Sequence, residues 1–156
     1  MTNGLRPARP DEGLAVRDLV RAAFAIHVPR LGREPGPMGH DWPACVAAGE
    51  VSVLEDARGA LAAVARLVAE PDALLVETIA VRPDLRGTGL GRRLLAFAED
   101  EARRLGRSRL RLYTNALMSD NIALYARHGY VATHEAGEPP MRRVYMEKHV
   151  LSPPSL

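Results

Sequence analysis

Apolar positions along the chain follow two periods, two residues and about 3.6, and the switches between them outline its elements. The clearest switch lies between residues 74 and 105. Leu74-Leu75-Val76-Glu77-Thr78-Ile79-Ala80-Val81 is apolar and rich in β-branched residues, which predicts an interior strand. Arg82-Pro83-Asp84-Leu85 then takes the backbone out of the sheet, since Pro83 has no N–H to donate and restricts the residue before it. Past Arg86-Gly87-Thr88-Gly89-Leu90-Gly91, the residues Leu90, Leu94, Phe97, Ala98, Ala102 and Leu105 recur at helical spacing. Glu99, Asp100, Arg103 and Arg104 fall largely on the other side, and Gly106 stands where a C-terminal cap belongs.

The same reading covers the rest of the chain. Leu5–Ala8 is a short strand weakened by Pro7 and Pro10, and Asp11 or Glu12 opens a helix with Leu14, Val16, Leu19, Val20, Ala23 and Phe24 on its apolar side. From His27 to Pro43 prolines and glycines alternate and the pattern dissolves into an irregular segment, of a length that is more often functional than idle. A short helix is predicted over Trp42–Ala48. Val51–Leu54 and Ala60–Ala69 form a hairpin across the turn residues Asp56-Ala57-Arg58-Gly59. Arg107–Tyr113 alternates as a strand whose arginines form a solvated face. Ser119–His128 is a short helix with Ser119 or Asp120 as N-cap and Gly129 as terminator. Tyr130–Glu135 and Arg142–Lys148 close the chain as antiparallel strands. Residues 1–150 read as a single domain and 151–156 as a proline-containing tail.

Composition narrows the class. Hydrophobic residues make up 47% and charged residues 26% of 156, an ordinary balance for a globular domain. No apolar run approaches the roughly 18–20 residues of a membrane span, and the N-terminus lacks the apolar core of a signal peptide. Cys45 is the only cysteine, so an intrachain disulfide is impossible, and a cytoplasmic protein away from membranes is expected. The net charge is +2, nearly all of the positive charge being dispersed arginine, with only 4% aromatics; nucleic acid is not an expected partner. The five histidines lack metal-ligand spacing, which points to surface or hydrogen-bonded histidines and no metal. Cys45 reads as a buried small residue.

Three glycines between a strand and a helix suit an anion, because a helix N-terminus offers unpaired N–H groups and partial positive charge. The dinucleotide pattern fails at Arg92, where a glycine is needed, and no GK[ST] ending follows for a P-loop. Arg86-Gly87-Thr88-Gly89-Leu90-Gly91 resembles instead the acyl-CoA loop of the GCN5-related N-acetyltransferase (GNAT) family, (Gln/Arg)-x-x-Gly-x-(Gly/Ala). Asn121-Ile122-Ala123-Leu124-Tyr125-Ala126-Arg127-His128-Gly129-Tyr130 is similar to the family's Leu-Tyr-x-x-x-Gly-(Phe/Tyr) helix. The element order β, α, α, β, β, β, loop, α, β, α, β, β agrees over nearly the whole chain. One position departs: where the family often has asparagine seven residues before the tyrosine, this chain has Met118, and Asn121 stands on the same helical face.

This resemblance implies an α/β (α+β) acyl-CoA N-acyltransferase fold, a mixed sheet of about six to seven strands flanked by about four helices. It also implies transfer of an acetyl group from acetyl-CoA, as co-substrate, directly to a primary amine. The amides of Gly87, Thr88, Gly89, Leu90 and Gly91, with Arg86 and Arg92, would hold the pyrophosphate. Backbone amides of Ile79, Ala80 and Val81 would face the thioester carbonyl, and Asn121 and Tyr125 would complete the CoA site. Glu77 is the candidate base, acting through water, which would require burial to raise its pKa from about 4.3. Tyr125 is the candidate acid, or hydrogen-bond donor, for the departing thiolate.

The acceptor is a small-molecule amine on this reading, held between the His27–Pro43 segment, Glu77 and the C-terminal hairpin. Arg30 and Arg33 are candidates to pair with an acceptor carboxylate, surface solvation being the other reading. Met38 and Trp42 either line the acceptor pocket or pack the core. A non-catalytic acyl-CoA-binding sensor or interaction module on the same fold is the alternative to an enzyme. A homodimer is common in the family, and no feature of the sequence decides it.

Overall fold

The computed structural model of the chain describes residues 4–150; the tail expected over 151–156 lies outside them. Seven strands make one sheet: β1 (Arg6–Pro7), β2 (Val51–Glu55), β3 (Leu61–Ala69), β4 (Leu74–Val81), β5 (Arg109–Asn115), β6 (Val131–Ala136) and β7 (Arg143–His149). Their order is β1-β2-β3-β4-β5-β7-β6, and β4 with β5 is its one parallel pair among the described residues. A parallel pair needs a crossover, and the long amphipathic helix supplies it. The helices are α1 (Gly13–Phe24), α2 (Val28–Leu31), α3 (Trp42–Ala47), α4 (Leu90–Arg104) and α5 (Ser119–Arg127). The expected mixed sheet with flanking helices is the fold observed.

Strand alternation sorts the core. Val51, Val53, Val64 and Ala80 turn to α1 and α3, meeting Val16, Val20 and Trp42. Ala63 and Ala65 turn to the opposite side and meet Leu94 and Phe97 of α4. Leu74, Val76, Leu110 and Leu112 pack with Leu95, Ala98 and Tyr125.

The segment from His27 to Pro43 is more ordered than its composition suggests. It contains a 3₁₀ turn over Ala25–His27, the single turn of α2 and a 3₁₀ turn over Gly36–Gly39. Pro29 and Pro37 stand in the first turns of such pieces, where a missing N–H costs nothing, and Gly32 ends α2 at φ +73°. The prolines and glycines that break the sequence pattern are therefore helix ends. Trp42, fully buried, anchors the segment by donating its indole N–H to the Pro37 carbonyl at 2.9 Å.

One expectation needs correction. The N-cap of α5 is Met118, not Ser119 or Asp120, and no side chain caps the helix. Instead the Asn115 side chain accepts the Leu117 N–H at 2.8 Å, and the Met118 carbonyl accepts the N–H groups of Asn121 and Ile122. The arginines of β5 stand on a partly solvated face, as ion pairs. Arg109 pairs with Asp72 and Glu147, and Arg111 with Glu70.

Two irregularities of β4 set up the site. It pairs with β5 only at Leu74–Leu110 and Leu75–Arg111; beyond them the two strands part. Against β3, Arg66 faces Thr78 while Leu67 faces Val76, which leaves Glu77 as an extra residue, a β-bulge. Bulges re-aim side chains, and this one carries the only carboxylate of the strand.

Candidate active site

Where β4 and β5 part, two cavities meet. The larger, about 500 Å³, runs beside Ile79, Ala80 and Val81, along the glycine loop and against α5. Its floor is the start of α4. The first intrahelical bond of α4 runs from Arg93 N to the Gly89 carbonyl (3.2 Å), so the amides of Gly89 to Arg92 precede the hydrogen-bonded ladder. Gly87 and Gly89 have φ +76° and +90°, conformations that side chains resist. Gly91 has ordinary helical backbone, and a Cβ there would make only a normal 3.6 Å contact with Leu124. Within the chain itself, then, an added side-chain carbon at 91 meets only this ordinary contact.

Charge in this cleft is one-sided. Arg30, Arg86, Arg92 and Arg127 line it with His27 and His128, against Asp120 alone. Arg30 and Arg86 donate to the carbonyls of Leu117 and Ala23, contacts that position them without neutralising them. Burial, with help from Arg30 and Arg86, lowers the His27 pKa, and its Nδ1 is buried without a hydrogen bond. A bulky polyanion fits such walls.

The smaller cavity, about 120 Å³, lies on the other side of the gap. It is mainly apolar, with Phe24, Leu31, Pro35, Pro37, Ile79, Met118 and Met141, and its ionisable groups are His40, Glu77, Tyr113, Tyr125 and Arg143. Phe24, Ile79, Asn121 and Tyr125 line both cavities. Tyr125 is buried, and burial pushes its phenol up to about 12, so it is a hydrogen-bond donor throughout the neutral range.

Glu77 is tied on both oxygens. Oε1 accepts the Thr78 hydroxyl at 2.6 Å and the Arg66 guanidinium at 3.2 Å; Oε2 meets His40 Nε2 at 2.9 Å. Its side chain is 7% exposed. Burial, the largest influence, pushes the carboxyl up. Hydrogen bonds from His40 and Thr78, with the charges of His40 and Arg66, outweigh burial and hold the carboxyl below its ordinary value. The raised pKa that the base role requires is thus not found: the bulge puts the carboxylate among three donors.

Several acceptor-site expectations also fail on position. Met38 and Trp42 are core residues at 7% and 0% exposure, behind the cavity wall. Arg30 faces the larger cleft and Arg33 lines neither cavity. The structure adds two residues in their place. His40 stands 37 positions from Glu77, in a stretch whose pattern gives no spacing to read. Arg143 begins β7 and lies over the Tyr113 ring, its Cζ 4.1 Å from the centroid.

Comparison with known proteins accords with this geometry. Residues 15–130 match the Acetyltransferase (GNAT) family. N-alpha-acetyltransferase 80 of Mus musculus is 42% identical over 78 residues, 50% of this chain and 22% of that protein. Aminoalkylphosphonate N-acetyltransferase of Salmonella typhimurium is 39% identical over 59 residues, 38% of each. The match thus spans well under half the length of these relatives. In overall shape the chain resembles the PaiA N-acetyltransferase of Thermoplasma acidophilum, solved in complex with coenzyme A. Its TM-score is 0.74, at 15% identity over 93% of this chain and 97% of that one. Among the described residues no helix is long and apolar enough to cross a membrane. With the family pattern covering most of the chain and the mixed sheet parting beside a glycine loop, this protein belongs to the GNAT acetyltransferase family.

Proposed function

We propose that the chain is an acetyl-CoA-dependent N-acetyltransferase acting on the primary amine of a small, acid-bearing acceptor. The observation that carries this is the meeting of the two cavities at Tyr125. One cavity has the amides and arginines for a diphosphate, the other has room for a small molecule, and the acetyl group would sit between them. The amides of Gly89 to Arg92 and the cleft arginines would hold the phosphates of CoA. The edge of β4 released by its parting from β5, at Ile79 to Val81, would present N–H groups to the thioester oxygen. Asn121, whose Nδ2 lies 3.5 Å from the Met118 sulfur, stands beside Tyr125 on both walls and would contact the pantetheine arm.

Nearby arginines guide the choice of acceptor. Arg66 is matched by Glu50 and Glu77, and Arg142 by Glu135. Arg143 rests on Tyr113 with no carboxylate partner among the described residues, so it can receive an anionic group from the acceptor. The Salmonella relative's name joins an amine to a phosphonate, the kind of molecule this arrangement suits. Arg143→Ala is expected to raise KM for amines bearing a carboxylate or phosphonate by about 10- to 100-fold and to leave neutral amines nearly unchanged. Equal losses on both classes would rule the anion contact out.

The test of the function is CoA-thiol release from acetyl-CoA across a panel of neutral and acidic amines, alongside calorimetric binding of CoA. Binding with turnover, best on acidic amines, is the expected result. Tight binding with no turnover on any amine would favour the sensor, and no binding would sink the reading of the glycine loop.

A further inference from the structure

An alkyl ammonium with a pKa of about 10 must lose a proton before its nitrogen can attack. Glu77 is badly placed to take it. Both its oxygens are engaged, by Thr78 and Arg66 on one side and His40 on the other. His40 is placed differently. It lines the acceptor cavity, its side chain is 29% exposed, and its Nε2 is the atom that meets Glu77. An ionised carboxylate only accepts, so the Nε2 position carries the hydrogen and Nδ1 carries the lone pair. Nδ1 makes no hydrogen bond among the described residues. The ring also packs against Trp42, with centroids 5.5 Å apart, and Trp42 is locked in the core.

From this geometry we infer that His40 is the catalytic base of the reaction and Glu77 the residue that positions it. The inference rests on the acetyltransferase reading above. His40 Nδ1 takes a proton from the acceptor ammonium and passes it to solvent. The freed amine lone pair attacks the thioester carbon, the C–N bond forms, and the C–S bond breaks with its electron pair going to sulfur. The nitrogen sheds a second proton by the same route and keeps the third in the amide. The thiolate, hydrogen-bonded by Tyr125, takes up one proton on leaving, so one proton is released per turnover. The buried carboxylate favours the imidazolium formed and fixes the ring plane, as the orienting acid does in a catalytic triad.

Charged and titratable groups surround the imidazole on several sides. From the cavity it is faced by Glu77, Tyr113, Tyr125 and Arg143; behind Glu77 lie Arg66 and Cys45, and Asp41 adjoins it in sequence. Glu77 is held low, and burial pushes Tyr113 and Cys45 up.

The pH–rate profiles of wild type, His40→Gln and Glu77→Gln would test the assignment, with CoA calorimetry as the check on folding. His40→Gln is expected to lower kcat/KM by about 10²- to 10³-fold and to abolish the acid limb of the profile. Glu77→Gln is expected to move that limb to lower pH, because the carboxylate no longer stabilises the imidazolium. His40→Ala should regain part of its activity in added imidazole. A wild type that turns over amines beside a His40→Gln variant with undiminished rate and the same acid limb would overturn the assignment alone. A wild type that binds CoA but acetylates no amine would overturn the transferase reading and this inference with it.

Discussion

Tyr125→Phe is expected to lower kcat by about 10²-fold while leaving CoA affinity within about twofold. The expectation follows from where the hydroxyl sits and what burial does to it. Tyr125 is shared by both cavities and its phenol is pushed up to about 12. Moving its proton outright to a thiolate of ordinary pKa, about 8.5, would be uphill by roughly 5 kcal/mol. Its service is therefore a hydrogen bond to sulfur as negative charge develops there, an interaction absent from the bound thioester. Interactions made only in the transition state appear in kcat. Phenylalanine keeps the ring and its edge-on contact with Tyr130, centroids 6.0 Å apart, so the fold should be unaffected. Steady-state kinetics with acetyl-CoA and with an acetyl thioester of a more acidic thiol separates the causes. The more acidic leaving group should suffer less from the substitution, and equal losses would show that the missing hydroxyl had not served the sulfur.

The strand, loop and helix of residues 74–105 are legible because each is encoded locally: a β-branched run, a proline exit, glycines and a helical stripe. The acetyltransferase fold follows from two such local motifs in the right order. What the sequence hides is contact between distant residues. His40 and Glu77 lie on a loop and a strand that are 37 residues apart in the chain. The direction of the Glu77 pKa depends on Thr78, on Arg66 across a bulge, and on His40, so burial alone gives the wrong sign. Proline and glycine between 27 and 43 serve both loops and the ends of short helices, and only the folded backbone distinguishes these uses. Met38 and Trp42 show the same limit from the other side. An apolar residue near a site suits a pocket wall and a core equally well, and at 7% and 0% exposure these two belong to the core.

Gly89→Val is expected to weaken CoA binding by about 100-fold, a loss larger than its effect on folding. Gly89 caps α4 at φ +90°, where a β-branched side chain is strongly disfavoured. Relieving that strain rotates the backbone at the cap and swings the amides of Leu90, Gly91 and Arg92 off the line on which they converge. Charge-assisted hydrogen bonds contribute about 1.5–3 kcal/mol each, so misaligning two of them amounts to about 100-fold or more. Strain alone would mimic part of this by destabilising the whole chain. Gly106 provides the control, since it sits just past the other end of α4 at φ +72°, with no atom within 4 Å of an added Cβ. Gly106→Val should therefore lower the melting temperature by a similar few degrees while leaving CoA affinity intact. Paired calorimetric titrations and thermal melts of the two variants decide the matter. A common loss of affinity would mean that the glycine loop acts through stability. Loss at Gly89 alone would tie the helix N-terminus to the anion it is shaped to hold.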